Sequence, residues 1–124
     1  MRRALVALSI VAIAAPALAR DKPVPPATPD GKAIDCIRTT ELRETRVRSD
    51  SVIDFFTTGG KVYRNTLDGA CPQLGFEERF SYKTSIGQLC STDVITVLTS
   101  PGLSQGATCG LSQFQPVKLA APAR

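Results

Sequence analysis

The chain has 124 residues, a formal net charge of +4 and no histidine. Without histidine, catalytic triads built on a Ser–His or Cys–His pair are excluded. Eight basic and nine acidic residues lie between positions 33 and 117, so the region predicted to fold is close to neutral. This balance argues against the broad basic surface that nucleic-acid binding requires.

The first nineteen residues have the three parts of a cleavable secretion signal. Two arginines precede an apolar run over 4–15, and an Ala-Leu-Ala sequence supplies the cleavage site at position 19. The apolar run is shorter than the roughly 20 residues that a membrane span needs. We therefore expect no membrane span after cleavage, with a retained N-terminal anchor as the alternative. The segment 20–32 contains four prolines and is predicted to be a disordered linker.

The remainder of the chain contains four cysteines, an even number that suits two disulfides in an oxidising compartment. They are Cys36, Cys71, Cys90 and Cys109. Of the three possible pairings we predict Cys36–Cys109, which joins the first strand to the last, with Cys71–Cys90 closing the central loop. A metal site or a thiol oxidoreductase is the alternative, but the chain has neither Cys-x-x-Cys spacing nor histidine. We therefore expect no metal and no cofactor.

Apolar periodicity and turn residues favour strands between 33 and 117. The predicted strands cover 34–40, 42–48, 52–58, 61–67, 79–84, 93–99 and 107–117. No window predicts a capped helix longer than about two turns. We therefore expect one all-β domain over 33–117, a small antiparallel barrel or sandwich of about six short strands stapled by disulfides. A flexible tail is predicted over 118–124.

The strongest local signal is the Gly-Gly pair at 59–60, since adjacent glycines supply the positive φ angles of a two-residue hairpin turn. In that register Phe56 faces Tyr63 across the hairpin, and Asn65 lies directly opposite Asp54. Both sides of the hairpin carry apolar residues, so we expect it to be central in the fold.

Five residues are candidates for a binding surface: Asp54, Tyr63, Arg64, Asn65 and Asp93. A buried Asp54 would need a partner, and Tyr and Arg are favoured at interfaces, although Tyr63 also fits the core and Asp93 also fits a turn. Loops at 68–92 and 100–108 are the expected recognition loops. The alternative function is a small hydrolase or lyase of the cell envelope, in which Asp54 and Asp93 form an acid–base pair. No catalytic residue is assigned.

Several short runs also resemble a known family. They are Lys-Val-Tyr-Arg-Asn at 61–65, Cys-Pro-Gln-Leu at 71–74, Phe-Ser-Tyr at 80–82, Leu-Cys-Ser-Thr-Asp-Val-Ile at 89–95 and Cys-Gly-Leu at 109–111. With the cysteine spacing, they are similar to a family of short secreted proteobacterial proteins catalogued only as a domain of unknown function. The resemblance covers about 35–117 and departs from the family at Ser112, where glycine is expected. It implies an exported disulfide domain of a Gram-negative bacterium and no reaction.

Together these observations predict a non-enzymatic binding or accessory domain of the bacterial cell envelope, periplasmic or secreted. An envelope protein or a polysaccharide is the expected partner, and nucleic acid is not. The sequence leaves the oligomeric state open.

Overall fold

The computed structural model describes residues 10–11, 23–84 and 86–120, and this part of the chain is nearly all β-structure. It contains ten strands and one short helix. The strands are β1 (Ala27–Pro29), β2 (Cys36–Arg38), β3 (Leu42–Val47), β4 (Val52–Thr57), β5 (Val62–Thr66), β6 (Phe80–Tyr82), β7 (Gln88–Cys90), β8 (Val94–Thr99), β9 (Ser104–Gly110) and β10 (Phe114–Leu119). The helix is α1 (Leu74–Glu77), and a 3₁₀ turn covers Thr39–Glu41. The all-β prediction is confirmed, with more strands than expected.

The strands form antiparallel sheets that do not close into a barrel. A five-stranded sheet has the order β1-β10-β5-β4-β3, a three-stranded sheet has the order β6-β8-β9, and β2 pairs with β7 in a two-stranded ribbon. The arrangement is sandwich-like, so of the two predicted architectures the sandwich is the one that forms. Such layers are stabilised by burying their inward faces against one another.

The core lies between the inward faces of the sheets. Alternate residues of two strands point into it and are fully buried, Ile53 and Phe55 from β4 and Ile95 and Val97 from β8. Phe114 of β10 packs edge-on to Phe55, with ring centroids 5.2 Å apart and an interplanar angle of 79°. This geometry adds to the stabilisation that burial of the rings provides. The hairpin of β4 and β5 is internal in its sheet, as its two-sided apolar pattern indicates.

Two disulfides join Cys36 to Cys90 and Cys71 to Cys109. Disulfide formation is confirmed, but the predicted pairing of Cys36 with Cys109 and of Cys71 with Cys90 is wrong. Cys36 and Cys90 lie directly opposite each other in the β2–β7 ribbon, and β7 was not among the predicted strands. Cys71 instead ties the segment before α1 to β9. Two disulfides in a chain of this size indicate an oxidising environment outside the cytoplasm.

The β4–β5 hairpin has a three-residue loop where the sequence predicts a two-residue turn. The N–H of Thr57 donates to the carbonyl of Lys61 at 3.0 Å, so residues 58–60 form the loop. Gly60 has a φ of +79°. A glycine in this left-handed conformation commonly ends a three-residue hairpin loop.

The extra loop residue shifts the hairpin register by one position. Asp54 lies opposite Arg64, not Asn65, and Tyr63 does not face Phe56. Both predicted cross-strand pairs are therefore wrong. Because side chains alternate between the two faces of a strand, the shift moves Arg64 onto the same face as Asp54.

The strands extend past both predicted ends of the domain. β1 lies inside the segment predicted to be a disordered linker and pairs with β10 at the edge of the five-stranded sheet, where a strand tolerates proline. β10 continues to Leu119, so residues 118–119 belong to a strand and not to a tail. The predicted strand over 107–117 is in fact two strands, β9 and β10, which belong to different sheets.

Of the predicted secretion signal, only residues 10 and 11 are among those that the structure describes. The other signal residues, residues 20–22 of the predicted linker and residues 121–124 of the predicted tail lie outside the described part. Within the described ranges, no helix is both long enough and apolar enough to cross a membrane.

Candidate functional site

The five residues predicted to form a binding surface lie in three separate places. Asp54 and Arg64 are on the outward face of the five-stranded sheet, whereas Tyr63 and Asn65 are on its inward face. Asp93 is in the turn between β7 and β8. Of the five, the structure therefore brings only Asp54 and Arg64 together on one surface.

Asp54 is fully buried and is bound by two arginines. Arg64 approaches it with two nitrogens, Nε at 2.8 Å from Oδ1 and Nη2 at 3.0 Å from Oδ2. Nε of Arg48 donates to Oδ2 at 2.9 Å. Bidentate arginine–carboxylate pairs are among the stronger hydrogen-bonded contacts in proteins. Each carboxylate oxygen thus has an arginine donor, which offsets the unfavourable burial of its charge.

The N-terminal segment covers this cluster. Nη2 of Arg64 also donates to the carbonyl of Pro25 at 2.9 Å, and β1 follows two residues later. The Asp54 side chain is 0% exposed. The arrangement fixes the N-terminal segment to the sheet and leaves Asp54 without access to a substrate, so we interpret the cluster as structural.

The carboxylate of Asp93 forms a hydrogen bond within a local turn. Its Oδ2 accepts a hydrogen bond from the N–H of Cys90 at 2.7 Å, and its own N–H donates to the Cys90 carbonyl at 2.9 Å. Aspartate commonly stabilises turns in this way. Asp93 leads into the three-stranded sheet, whereas Asp54 belongs to the five-stranded sheet. The two carboxylates therefore do not form the acid–base cleft that the hydrolase alternative requires.

The side chains of Asn65 and Tyr63 both make contacts within the fold. Asn65 is buried, with Nδ2 donating to the carbonyl of Ser112 at 2.6 Å and Oδ1 accepting from the Ser112 N–H at 2.9 Å. This pair holds the β9–β10 connection against the five-stranded sheet. Tyr63 packs against the hydrophobic core. Neither side chain is available to a large partner.

The two predicted recognition loops do meet. Oε2 of Glu77 accepts hydrogen bonds from the N–H and the Oγ of Ser100, each at 3.2 Å. We call the region formed by residues 72–79 and 100–103 the loop end. It carries two large apolar side chains in contact with solvent, Phe76 at 83% exposure and Leu103 at 53%. The loop end is thus an ordered surface that presents an aromatic and an aliphatic side chain.

Backbone strain is concentrated at the loop end. Among the described residues, the non-glycine positions with positive φ are Gln73 (66°), Glu78 (56°) and Leu103 (55°). The left-handed conformation costs an ordinary residue on the order of 1 to 3 kcal/mol. Burial offsets little of this cost at Leu103, because that residue is 53% exposed. Strain of this kind commonly clusters at sites that bind ligands.

A polar groove of about 550 Å³ lies on another side of the molecule, next to the β9–β10 connection. Among the described residues, its lining includes Arg64, Asp68, Ser112 and Gln115 and no aromatic side chain. Sugars are commonly held by stacking on an aromatic ring as well as by hydrogen bonds. The groove therefore lacks one of the two features of a polysaccharide site.

The four cysteines all take part in the disulfides, so the chain has no free thiol. Across residues 10–11, 23–84 and 86–120, no three side chains of the metal-binding types are grouped to hold a metal ion.

Sequence reasoning missed several residues that the structure makes prominent. Arg48 binds Asp54 from a position six residues away, a spacing with no periodic signal. Phe76 is an isolated aromatic residue in an irregular stretch, and Leu103 follows a Pro-Gly turn. An apolar residue directly after such a turn is a signal that could have identified Leu103 as exposed.

The fold and these surfaces define a small, disulfide-stapled all-β sandwich with an ordered apolar loop end. No protein-family model matches the chain, and no curated protein or solved structure matches it. The resemblance to a family of secreted proteobacterial proteins stays a prediction. Function is therefore inferred from the geometry of the chain itself.

Proposed function

We propose that this protein is a non-enzymatic, exported binding domain of the bacterial cell envelope, periplasmic or secreted, that contacts a partner protein through its loop end. The observation that carries the proposal is the exposure of Phe76 on α1 and of Leu103 before β9, in two segments joined by the Glu77–Ser100 hydrogen bonds. A few residues carry most of the binding free energy of many interfaces, and aromatic side chains such as that of Phe76 are enriched at interface cores.

The scaffold supports this role because the loops are already held in place. Cys71, next to α1, is bonded to Cys109 on β9, and β9 begins directly after Leu103. Both halves of the loop end are therefore tied to the three-stranded sheet. Loops that are ordered before binding lose less conformational entropy on association.

A protein fits the loop end better than a polysaccharide does. Leu103 offers no flat ring on which a sugar could stack, and Phe76 is the only aromatic residue of the loop end. An apolar pocket on another protein would accept both side chains. The polar groove near Ser112, which has no aromatic lining, is the weaker candidate for a sugar.

Export rests on two independent features. The predicted signal over 1–19 indicates secretion, and the two disulfides suit an oxidising compartment. The resemblance to short secreted proteobacterial proteins agrees with both.

The test is site-specific photo-crosslinking in the cells that export the protein. A benzoylphenylalanine residue is placed at position 76 or at position 103, and Ile86 is the matched control because it is 73% exposed but precedes β7. We expect a discrete protein adduct from 76 and 103 and none from 86. Combining the probe at 103 with Phe76→Ser should lower the adduct yield about tenfold, as loss of a binding anchor does.

Three outcomes would contradict the proposal: equal adducts from positions 76 and 86, no adduct from either loop position, or an adduct with a polysaccharide. Mass spectrometry of the exported protein supplies the test of export. An N-terminus at Arg20 and the absence of free thiols are the expected results.

A further inference from the structure

Four strands form the edges of the two larger sheets, and three of them are protected against pairing with another chain. β1 and β6 have only three residues each, and β1 contains Pro29. β3 carries Arg43, Glu44 and Arg46 and has a bulge near its start. Short length, proline, charge and bulges are the features by which natural edge strands avoid pairing.

The fourth edge strand, β9, has little of this protection. It is seven residues long, most of its residues are exposed, and it contains no charged residue and no proline. A register shift interrupts its pairing with β8 around Gly106, but residues 108–110 pair regularly with residues 94–96. The second half of β9 is therefore an open, uncharged edge.

The hydrogen-bond register shows which backbone groups point outward. The N–H of Leu111 donates to the carbonyl of Asp93, and these two residues continue the β8–β9 register by one pair. In an antiparallel ladder, hydrogen-bonded pairs alternate with pairs whose polar groups point away. Cys109 therefore bonds to β8, and the N–H and C=O groups of Thr108 and Gly110 point away from it. In the described part of the chain, no strand lies on that side of β9.

We propose that β9 pairs antiparallel with β9 of a second copy of this chain, about a two-fold axis at Cys109. Thr108 of one copy then lies opposite Gly110 of the other, and the outward N–H and C=O groups of both residues are satisfied. The two three-stranded sheets become one continuous sheet of six strands.

A second copy fits this edge for three reasons. The edge has no charge, so two copies meet without the repulsion that β3 would create. The β-branched Thr108 meets a glycine, which leaves room for its side chain next to the exposed Val94. Finally, the combined sheet would end at β6 on both sides, and a three-residue edge resists further pairing. Isologous two-fold contacts of this type are the commonest form of self-association.

The pairing is independent of the proposed partner, because Phe76 and Leu103 are not part of residues 108–110. The contact is small, with four backbone hydrogen bonds, so we expect a dissociation constant on the order of 0.1 to 1 mM.

Amide hydrogen exchange of the purified exported protein, measured by NMR at about 20 µM and 1 mM, tests the pairing. The amides of Thr108 and Gly110 should exchange at least about twofold more slowly at the higher concentration, since half or more of the chains would then be paired. The amide of Cys109, bonded within the chain, should show no change. Analytical ultracentrifugation over the same range should show a monomer–dimer equilibrium.

Thr108→Lys should abolish the concentration dependence by placing like charges next to each other at the contact. Ser81→Lys is the matched control, because it adds the same charge to the same face but on β6, and it should leave the dimer intact. Exchange rates of Thr108 and Gly110 that do not change up to 1 mM would overturn the proposal, and so would a Thr108→Lys protein that still dimerises. If the dimer forms but the probe at position 76 gives no protein adduct, only the proposed function is overturned.

Discussion

The outward faces of the two larger sheets differ in the charged residues that they carry. The ionic face, on the five-stranded sheet, carries Glu44, Arg46, Arg48, Asp54 and Arg64. The uncharged face, formed by outward residues within the strands of the three-stranded sheet, carries Ser81, Val94, Thr96, Leu98 and Thr108, and the charged Arg79 and Lys83 lie just beyond the two ends of β6. The first face satisfies its polar groups within the chain, whereas the second has few polar contacts of its own. The difference indicates that side-chain ion pairs stabilise the five-stranded sheet and contribute little to the three-stranded sheet.

The centre of the ionic face, around Asp54, is covered by contacts within the chain. Arg46 pairs with Glu44 and lies over the ring of Phe56, 5.0 Å from its centroid. Asp54 is covered by arginines and by the segment that contains Pro25. A partner could reach Asp54 only by displacing contacts that already exist, whereas Arg46 and Glu44 are about half exposed, at 55% and 50%.

The largest effect is expected from Asp54→Ala, which leaves two mostly buried arginines without their carboxylate. Removing one member of a buried ion pair typically destabilises a protein by 3 to 5 kcal/mol, so we expect a loss of about 4 kcal/mol in the free energy of unfolding. Urea denaturation measures it. Asp68→Ala is the control, since that carboxylate is exposed, and it should change stability by less than about 0.5 kcal/mol. Equal effects of the two variants would contradict a structural role for the ionic face.

The two arginines of this cluster should contribute unequally. Arg64→Met removes two hydrogen bonds to Asp54 and the bond to Pro25, whereas Arg48→Met removes one bond to Asp54. We expect losses of about 3 and about 1.5 kcal/mol, because hydrogen bonds to charged groups are worth roughly 1.5 kcal/mol or more each. The same denaturation experiment compares them. A greater loss for Arg48→Met would show that the N-terminal segment contributes little to stability.

Much of the fold could be predicted from residue periodicity. Runs of apolar and β-branched residues mark β4, β5 and β8, partial alternation marks β3, and each of these strands forms within one or two residues of its predicted bounds. The strands that were missed, β1 and β7, have three residues each. Strands this short form because a neighbour pairs with them, and local sequence does not carry that information.

The register of the β4–β5 hairpin illustrates a second limit. A Gly-Gly pair suits both a two-residue turn and the end of a three-residue loop. The hydrophobic pattern could not decide between them, because both faces of the hairpin carry apolar residues. That single residue of shift determines whether Asp54 meets an amide or an arginine, so the ion cluster could not be derived from the sequence.

The disulfides and the loop end depended on contacts between distant residues. The sequence separations of the bonded cysteines, 54 and 38, follow from how the sheets pack. The recognition loops were predicted as segments, but the residues that carry the proposal were not. The exposure of Phe76 can be inferred only once the structure shows that other rings, such as Phe55 and Phe114, fill the core.

At the loop end, Leu103→Gly should raise the free energy of unfolding slightly. Glycine adopts the φ of 55° without strain, and the exposed leucine side chain contributes little burial. We expect a gain of about 1 kcal/mol, measured by thermal or urea denaturation. Leu103→Ala is the matched control, because it removes the side chain but keeps the strain, and it should give no gain. Both variants should weaken the crosslink from position 76. A destabilised Leu103→Gly protein would indicate that Leu103 packs in the fold.

The smallest change in the free energy of unfolding is expected from Thr96→Val. Comparing it with a Thr→Val substitution in the five-stranded sheet tests how much a threonine hydroxyl contributes to stability in each sheet. The hydroxyls of Thr96 and Thr108 lie 3.2 Å apart on the uncharged face, where water can replace the lost partner. Valine also suits a strand, so stability should change by less than about 0.5 kcal/mol. Thr57→Val is the matched substitution in the five-stranded sheet, where the nearly buried Oγ1 donates to the Lys61 carbonyl at 3.0 Å. Valine lacks this hydroxyl, so the Lys61 carbonyl loses one of its hydrogen bonds. We expect Thr57→Val to lower the free energy of unfolding by about 1 kcal/mol, measured by urea denaturation. If the two variants destabilise the protein equally, the outward hydroxyl of Thr96 contributes to folding as much as the nearly buried hydroxyl of Thr57 does.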